Sequence, residues 1–265
     1  MIQYKDLILY HNKKVILKQL NGLLPESKFC VLMGPNGSGK TSLLRSFAGL
    51  NNQASDHVTI KGTSLNGYSL EARSKLLSWG AARVDVAFAF KVYDLLLMSR
   101  YPWHRGYPSA KDHKLVEKVL LDLSLEEFSS RTIASLSSGE QKQVHLARVV
   151  VQDTPIIICD EPCAHLDLAV SFKVLDYLKY LCDSGKTIIA SLHDIDKASR
   201  YGEHYTLLNH GSIAFQGFDF PSTELIEKVF KVSVKYVGEG KNHLIYEPVC
   251  NFFDIKKGNS QHEHL

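Results

Sequence analysis

No apolar run in this chain approaches the ~18 residues that a membrane-crossing helix needs. The opening, MIQYKDLILYHNKK, is too charged for a secretion signal. Neither sign of charge dominates: 31 basic against 28 acidic residues leave a net charge of +3. So mild a balance gives no footing for a nucleic-acid surface and reads as an ordinary solvated exterior. Cysteine is scarce as well. Cys30, Cys159, Cys163, Cys182 and Cys250 are an odd five with no C-x-x-C pair. This argues against a disulfide framework. Cys30, Cys159 and Cys182, each inside an apolar stretch, read as packing residues of a reducing compartment. Internal repeats and low-complexity linkers are absent. The histidines of the ending GNSQHEHL read as a flexible polar end rather than a metal site. The expectation is a protein that is cytosolic in itself.

What is present is enough for a large core. With 265 residues, 45% of them apolar and 22% charged, the chain is one domain, or one domain carrying an insertion. FCVLMG, residues 29–34, is a short apolar run closed by glycine and predicts a buried strand. GKTSLLRSFAGL then sets Leu43, Leu44 and Phe47 at helical spacing and stops near Gly49. PIIICDEP predicts a second buried strand, and LAVSFKVLDYLKYLCDSG a helix with Leu168, Phe172, Leu175, Leu178 and Cys182 on one stripe. KTIIASLHD returns to strand. Strand, helix and strand in succession imply a parallel sheet with crossover helices. Between Val92 and Val151 the pattern is mostly helical, broken by Pro102, Gly106 and Pro108, as for a helical insertion in an α/β core.

The chemistry is concentrated in a few motifs. Gly34-Pro35-Asn36-Gly37-Ser38-Gly39-Lys40-Thr41 fits G-x-x-x-x-G-K-[ST], between an expected strand and an expected helix. In such a loop backbone N–H groups wrap phosphates, the lysine reaches the outer phosphates and the Thr41 hydroxyl binds Mg²⁺. Asp160, at the end of an apolar strand, stands where such enzymes place their Mg²⁺-linked aspartate, with Glu161 next to it. One carboxylate can hold the metal while the other polarises the attacking water. His193, ending the following strand, falls at the same sheet edge, within reach of the terminal phosphate or of Glu161. A second phosphate cradle lies in ASLSSGEQKQ: Ser137 and Glu140 form an S-x-x-E capping pattern, and Gly139 permits close backbone approach.

Together these residues resemble the ATP-binding subunit of ABC transporters, from about Tyr4 to Val237. LSSGE resembles the family's signature motif, GPNGSGKT its Walker A loop, IIICDE its Walker B strand, AHLD (164–167) its D-loop and His193 its switch histidine. The resemblance implies an α/β fold. Its P-loop NTPase core has a mostly parallel sheet, an N-terminal antiparallel β portion and a helical subdomain inserted at about 84–151. The cassette then occupies 1–240, and 241–265 is a tail of no assigned role. It further implies ATP held by Gly34 to Ser42, with Tyr10 stacked on adenine, Lys40, Glu161 and His193 catalytic, and Thr41 and Asp160 at Mg²⁺. Two copies would sandwich ATP head to tail, so that Ser137, Gly139 and Glu140 serve the nucleotide of the partner copy. A finer likeness, in LLLMSRYPW, DEPCAHLDL and PSTELIEKVFKVSVKYV, is to importers of iron–siderophore, haem or cobalamin. Such subunits lie on the cytoplasmic face of the bacterial inner membrane, against permease subunits and, through them, an extracytoplasmic binding protein.

The chain departs from that pattern at three places. Ser138 replaces a glycine of the signature, and Cys163 a threonine or serine. The third is an absence: no glutamine occurs between Gln53 and Gln141, and Ala82 occupies the position where the family carries one near Mg²⁺ and the permease. The expectation is that hydrolysis survives with coupling or metal affinity altered, the contact being lost or taken over by another side chain such as Arg83. Two other readings stay open on sequence: a cassette that binds ATP and dimerises with little turnover, and an ABC ATPase with no permease.

Overall fold

A computed structural model of the chain describes residues 1–82, 89–237 and 243–248. Strands β1 (Ile2–His11) and β2 (Lys14–Leu24) form an antiparallel hairpin, which β4 (Val58–Ile60) and β5 (Thr63–Ser64) extend in the order β2-β1-β4-β5. This is the expected antiparallel portion. The main sheet takes β3 (Phe29–Met33), β6 (Leu77–Gly80), β7 (Ile156–Cys159), β8 (Thr187–Ser191), β9 (His204–Asn209) and β10 (Ser212–Gly217) in the order β10-β9-β3-β8-β7-β6. Its neighbours pair in parallel except β9 with β10.

The continuous apolar runs of the central strands follow from burial on both faces. Alternation along β3 turns Phe29, Val31 and Met33 to one core and Cys30 and Leu32 to another. The first core lies under α5 (Ala110–Leu123), α6 (Ser138–Val151) and α7 (Leu168–Asp183); the second lies under α1 (Lys40–Phe47) and the antiparallel sheet. Shorter helices complete the layers: α2 (Leu70–Leu76), α3 (Val92–Met98), α4 (Tyr101–His104), α8 (Ile195–Tyr201) and α9 (Thr223–Phe230). Cys30, Cys159 and Cys182 are free and buried, as expected. Burial pushes the Cys159 thiol up to about 12, which keeps it a packing residue.

Three details differ from the sequence reading. Leu168 is 68% exposed. It opens α7 directly after the Asp167 cap, whose side chain accepts from Val170 N, and this first turn projects beyond the core. The buried stripe begins instead at Ser171 and continues through Val174, Leu175 and Leu178. The strand expected over PIIICDEP is confined to Ile156–Cys159. Finally, β11 (Val232–Val237) pairs antiparallel with β12 (His243–Pro248), so the expected boundary at 240 falls between two paired strands. Among the described residues no helix is long and apolar enough to cross a membrane.

Candidate functional site

The site lies at the carboxyl ends of the adjacent parallel strands β3, β8 and β7, where loops leave the sheet on one edge. Gly34 begins the first loop with φ 145°, and a Cβ there would run into the Leu208 carbonyl. Only glycine fits this turn. Helix α1 then starts from Gly39 at φ 105°, with no side-chain cap and no acidic residue in its first turn. Its free N–H groups are left for an anion. Asn36, Gly37, Gly39, Lys40, Thr41 and Ser42 line a cavity of 270 Å³, joined by Ile16 and by Glu161 from the loop after β7. Ser38 is buried with its hydroxyl oxygen unpaired, and Pro35 offers its carbonyl to Lys40.

Lys40 is folded into the loop, donating from Nζ to the carbonyls of Gly34 (2.7 Å) and Pro35 (3.2 Å). Burial lowers its pKa, and the charges of Glu161 and Asp160 oppose that shift. Thr41 donates from Oγ1 to Asp160 Oδ2 at 2.7 Å, so the two expected metal ligands already stand side by side. Both are hard oxygen donors, the type that Mg²⁺ takes, and the buried unpaired Ser38 hydroxyl marks a polar cradle beside them. These residues fit the metal.

Glu161 is held in an unusual backbone conformation, φ 49°, a region that non-glycine residues seldom enter. Its N–H donates to Ser191 Oγ at 2.8 Å, and that hydroxyl donates to Asp160 Oδ1 at 2.6 Å. One serine at the end of β8 thus orients both carboxylate residues. Sequence reasoning missed it, because a serine closing an apolar strand gives no signal of its own. The His193 ring donates from Nε2 to Glu161 Oε1 at 2.6 Å. Burial pushes the Glu161 pKa up, but the hydrogen bond and charge of His193, with Lys40 and Lys142, outweigh it and leave the carboxyl below its usual range. The carboxylate is thereby held in its ionised form, its charge stabilised by His193. Replacing Ser191 by alanine is expected to lower activity or Mg²⁺ affinity by ~10–100-fold with the fold intact, measured as turnover against Mg²⁺ concentration. An unchanged Mg²⁺ dependence would refute that role.

Lys142 is the second residue missed. From α6 its Nζ donates to the Ala82 carbonyl at 2.8 Å and to that of Ala81 at 3.4 Å. A side chain from the signature helix therefore grips the segment where the expected glutamine is absent. Arg83 lies outside the described residues.

Not all expected residues converge. Tyr10 is 51% exposed on β1, its N–H donating to Gln53 Oε1, and it does not line the 270 Å³ cavity. Ser137, Gly139 and Glu140 are also absent from that cavity. They form their own helix start, where Glu140 Oε2 accepts from Ser137 N at 2.7 Å and Ser137 Oγ accepts from Glu140 N at 3.3 Å. Ser138 is exposed on the first turn. A Cβ at Gly139 would meet only ordinary contacts, the His165 carbonyl at 3.8 Å and Leu166 at 3.9 Å. No neighbour among the described residues demands a glycine there.

A profile of the family described as ABC transporter matches residues 17–164. The chain belongs to the ABC transporter family. It is 31% identical to the achromobactin transport ATP-binding protein of Dickeya dadantii, over 97% of this chain and 96% of that one. Identity to the iron(3+)-hydroxamate import ATP-binding protein of Bacillus subtilis is 25%, over 95% and 94% of the two chains. A dimeric ATP-binding cassette solved in a post-hydrolysis state with ADP and Pi superposes with a TM-score of 0.72. It is 26% identical, over 82% of this chain and 98% of that one. The protein is thus an ABC ATPase.

Proposed function

We propose that this cassette powers an ABC importer for an iron chelate or cobalamin, working as a head-to-tail pair of copies against a membrane permease. The observation that carries the pairing is the separation of the two cradles. The helix start at Ser137 and Gly139 lies outside the cavity of its own phosphate loop, and the glycine meets only ordinary contacts among the described residues. A second copy supplies both the constraint and the phosphate. The cargo class follows from the import and transport proteins to which the chain is similar over nearly its full length. In this reading residues 1–240 act as the cassette with the helical part inserted at about 84–151, and the protein sits peripherally on the cytoplasmic membrane face.

The geometry supports a division of labour among these residues. The loop Gly34–Ser42 and Lys40 hold the phosphates of ATP, and Tyr10 stands ready on β1 to cover the base. Thr41 and Asp160 hold Mg²⁺, which supplies positive charge to the outer phosphate oxygens. Glu161 accepts a proton from the attacking water, and His193 fixes the carboxylate through Nε2. Ser191 keeps Asp160 and Glu161 in register. With Ala82 in place of glutamine, Lys142 is the side chain that links the signature helix to this edge of the site.

The test is co-purification of the tagged cassette from its native membranes, combined with deletion and growth on a chelated metal or cobalamin as sole source. A polytopic permease should accompany the cassette, and the deletion strain should lose uptake of one such cargo. Wild-type uptake of every cargo in the deletion strain would overturn the assignment.

A further inference from the structure

We propose that Gln53 is a positioning residue for the nucleotide base: its side-chain amide clamps the main chain of Tyr10 and so sets the affinity for ATP. The inference rests on the reading above that Tyr10 covers the base. Gln53 Oε1 accepts from the Tyr10 N–H at 3.1 Å, and Gln53 Nε2 donates to the Tyr10 carbonyl at 3.5 Å. In an antiparallel strand the N–H and C=O of one residue point to the same side, so a single amide meets both. Val15 of β2 faces Tyr10 from the opposite side. On the outer edge of β1, β4 pairs with Ile2, Gln3 and Tyr4. Further along that edge the His57 carbonyl accepts from Lys5 N at 2.9 Å, and Gln53 serves Tyr10 at the far end. A side-chain amide thus does for Tyr10 what a neighbouring strand does for Ile2 to Tyr4.

Tyr10 needs that clamp because of where it sits. It stands at the open end of the hairpin, just before the turn at Asn12 and Lys13, and is half-exposed. Strand ends fray, and a half-exposed ring at such an end carries an ordering cost on binding unless its main chain is already fixed. The ladder places Tyr10 beside the phosphate cavity. Leu9 faces Leu17 but Tyr10 faces Val15, so Ile16 is an extra residue on β2, and Ile16 lines the 270 Å³ cavity. Bulges re-aim side chains next to active sites. Gln53 is in turn tied to the helix of the phosphate loop. After α1, Leu50 N donates to the Arg45 carbonyl, Asn51 Oδ1 accepts from Gln53 N at 3.2 Å, and the adjacent Ala54 is fully buried. The Tyr4 and Phe47 rings, with centroids 5.2 Å apart, pack β1 on α1. One frame therefore carries both the phosphate loop and Tyr10, and Gln53 is its link at the exposed end.

The test compares the full-length wild type with Gln53→Met, Tyr10→Ala and the double variant. The dissociation constant for ATP is measured by equilibrium titration with Mg²⁺ withheld, so that none is hydrolysed. Gln53→Met keeps the length of the side chain and removes its hydrogen bonds, and should weaken ATP binding about three- to tenfold, the net worth of such bonds. Tyr10→Ala should weaken it as well, and Gln53→Met should then cause no further loss. In hydrolysis of Mg-ATP the Gln53→Met loss should appear in KM and not in kcat. Undiminished affinity in Gln53→Met would overturn the proposal. A loss in kcat, or a comparable loss of affinity in the Tyr10→Ala background, would make Gln53 a prop of the fold and overturn it too. Undiminished affinity in Tyr10→Ala overturns the underlying reading as well, whereas a loss in Tyr10→Ala with none in Gln53→Met overturns the role of Gln53 alone.

Discussion

Glu161→Gln is expected to cut ATP turnover by ~10²–10⁴-fold, the range that a positioned general base contributes, while ATP binding persists. The substitution keeps the size and one hydrogen-bonding oxygen of the side chain but removes its ability to accept a proton. The fixed φ of 49° and the Ser191 bond to the Glu161 N–H belong to the backbone and remain. A cassette that binds but does not turn over should accumulate in the closed pair. Phosphate release measured beside light scattering in saturating Mg-ATP checks both halves of this expectation. Turnover near the wild-type rate would remove Glu161 from the chemistry. Turnover that is near zero already in the wild type would favour the low-turnover cassette.

Arg100→Ala is expected to destabilise the protein by ~3–5 kcal/mol, the cost of leaving a buried charge unpaired. Arg100 Nε donates to Asp112 Oδ1 at 2.9 Å, with side-chain exposures of 4% and 5%. Its Nη1 donates to the carbonyls of Val151 and Gln152, each at 3.2 Å, capping the end of α6. The guanidinium also lies over the Trp103 ring. Asp112 in turn accepts from Ser109 at the start of α5, so one arginine ties α5 and α6 to the α3–α4 turn. Urea unfolding followed by circular dichroism measures the loss, and a change within the scatter of surface variants would reject the role. The pair also carries a pH signature. Burial raises the Asp112 pKa, but the Ser109 and Arg100 hydrogen bonds outweigh it and bring the carboxyl down to about 2, below its ordinary 3.8. A group depressed in the folded state stabilises fully above its unfolded value, so this contribution is complete above about pH 4 and is lost as the pH falls through 2.

Motifs were legible where chemistry restricts residue type and spacing together. The phosphate loop could be read because glycine, lysine and threonine are each required at a fixed offset, and Asp160 and Glu161 because a carboxylate pair ends an apolar strand. Ser191 and Lys142 could not be read. Their roles come from contacts across roughly 30 and 60 positions of chain, and contacts between distant positions leave no local pattern. The Leu168 stripe failed for a related reason. Helical periodicity marks an apolar face but not where that face runs past the end of the core.

By itself, the sequence determined the class of the fold, the phosphate loop, the carboxylate pair and the family resemblance, since these depend on residue type at short, fixed spacing. Only the tertiary structure decided which side chains orient Glu161 and that the Ser137 helix start stands apart from the phosphate loop of its own chain. Such facts belong to the packing of layers. A hydrogen bond spans about 3 Å whatever the length of chain between its partners, and only the folded arrangement says which partners those are.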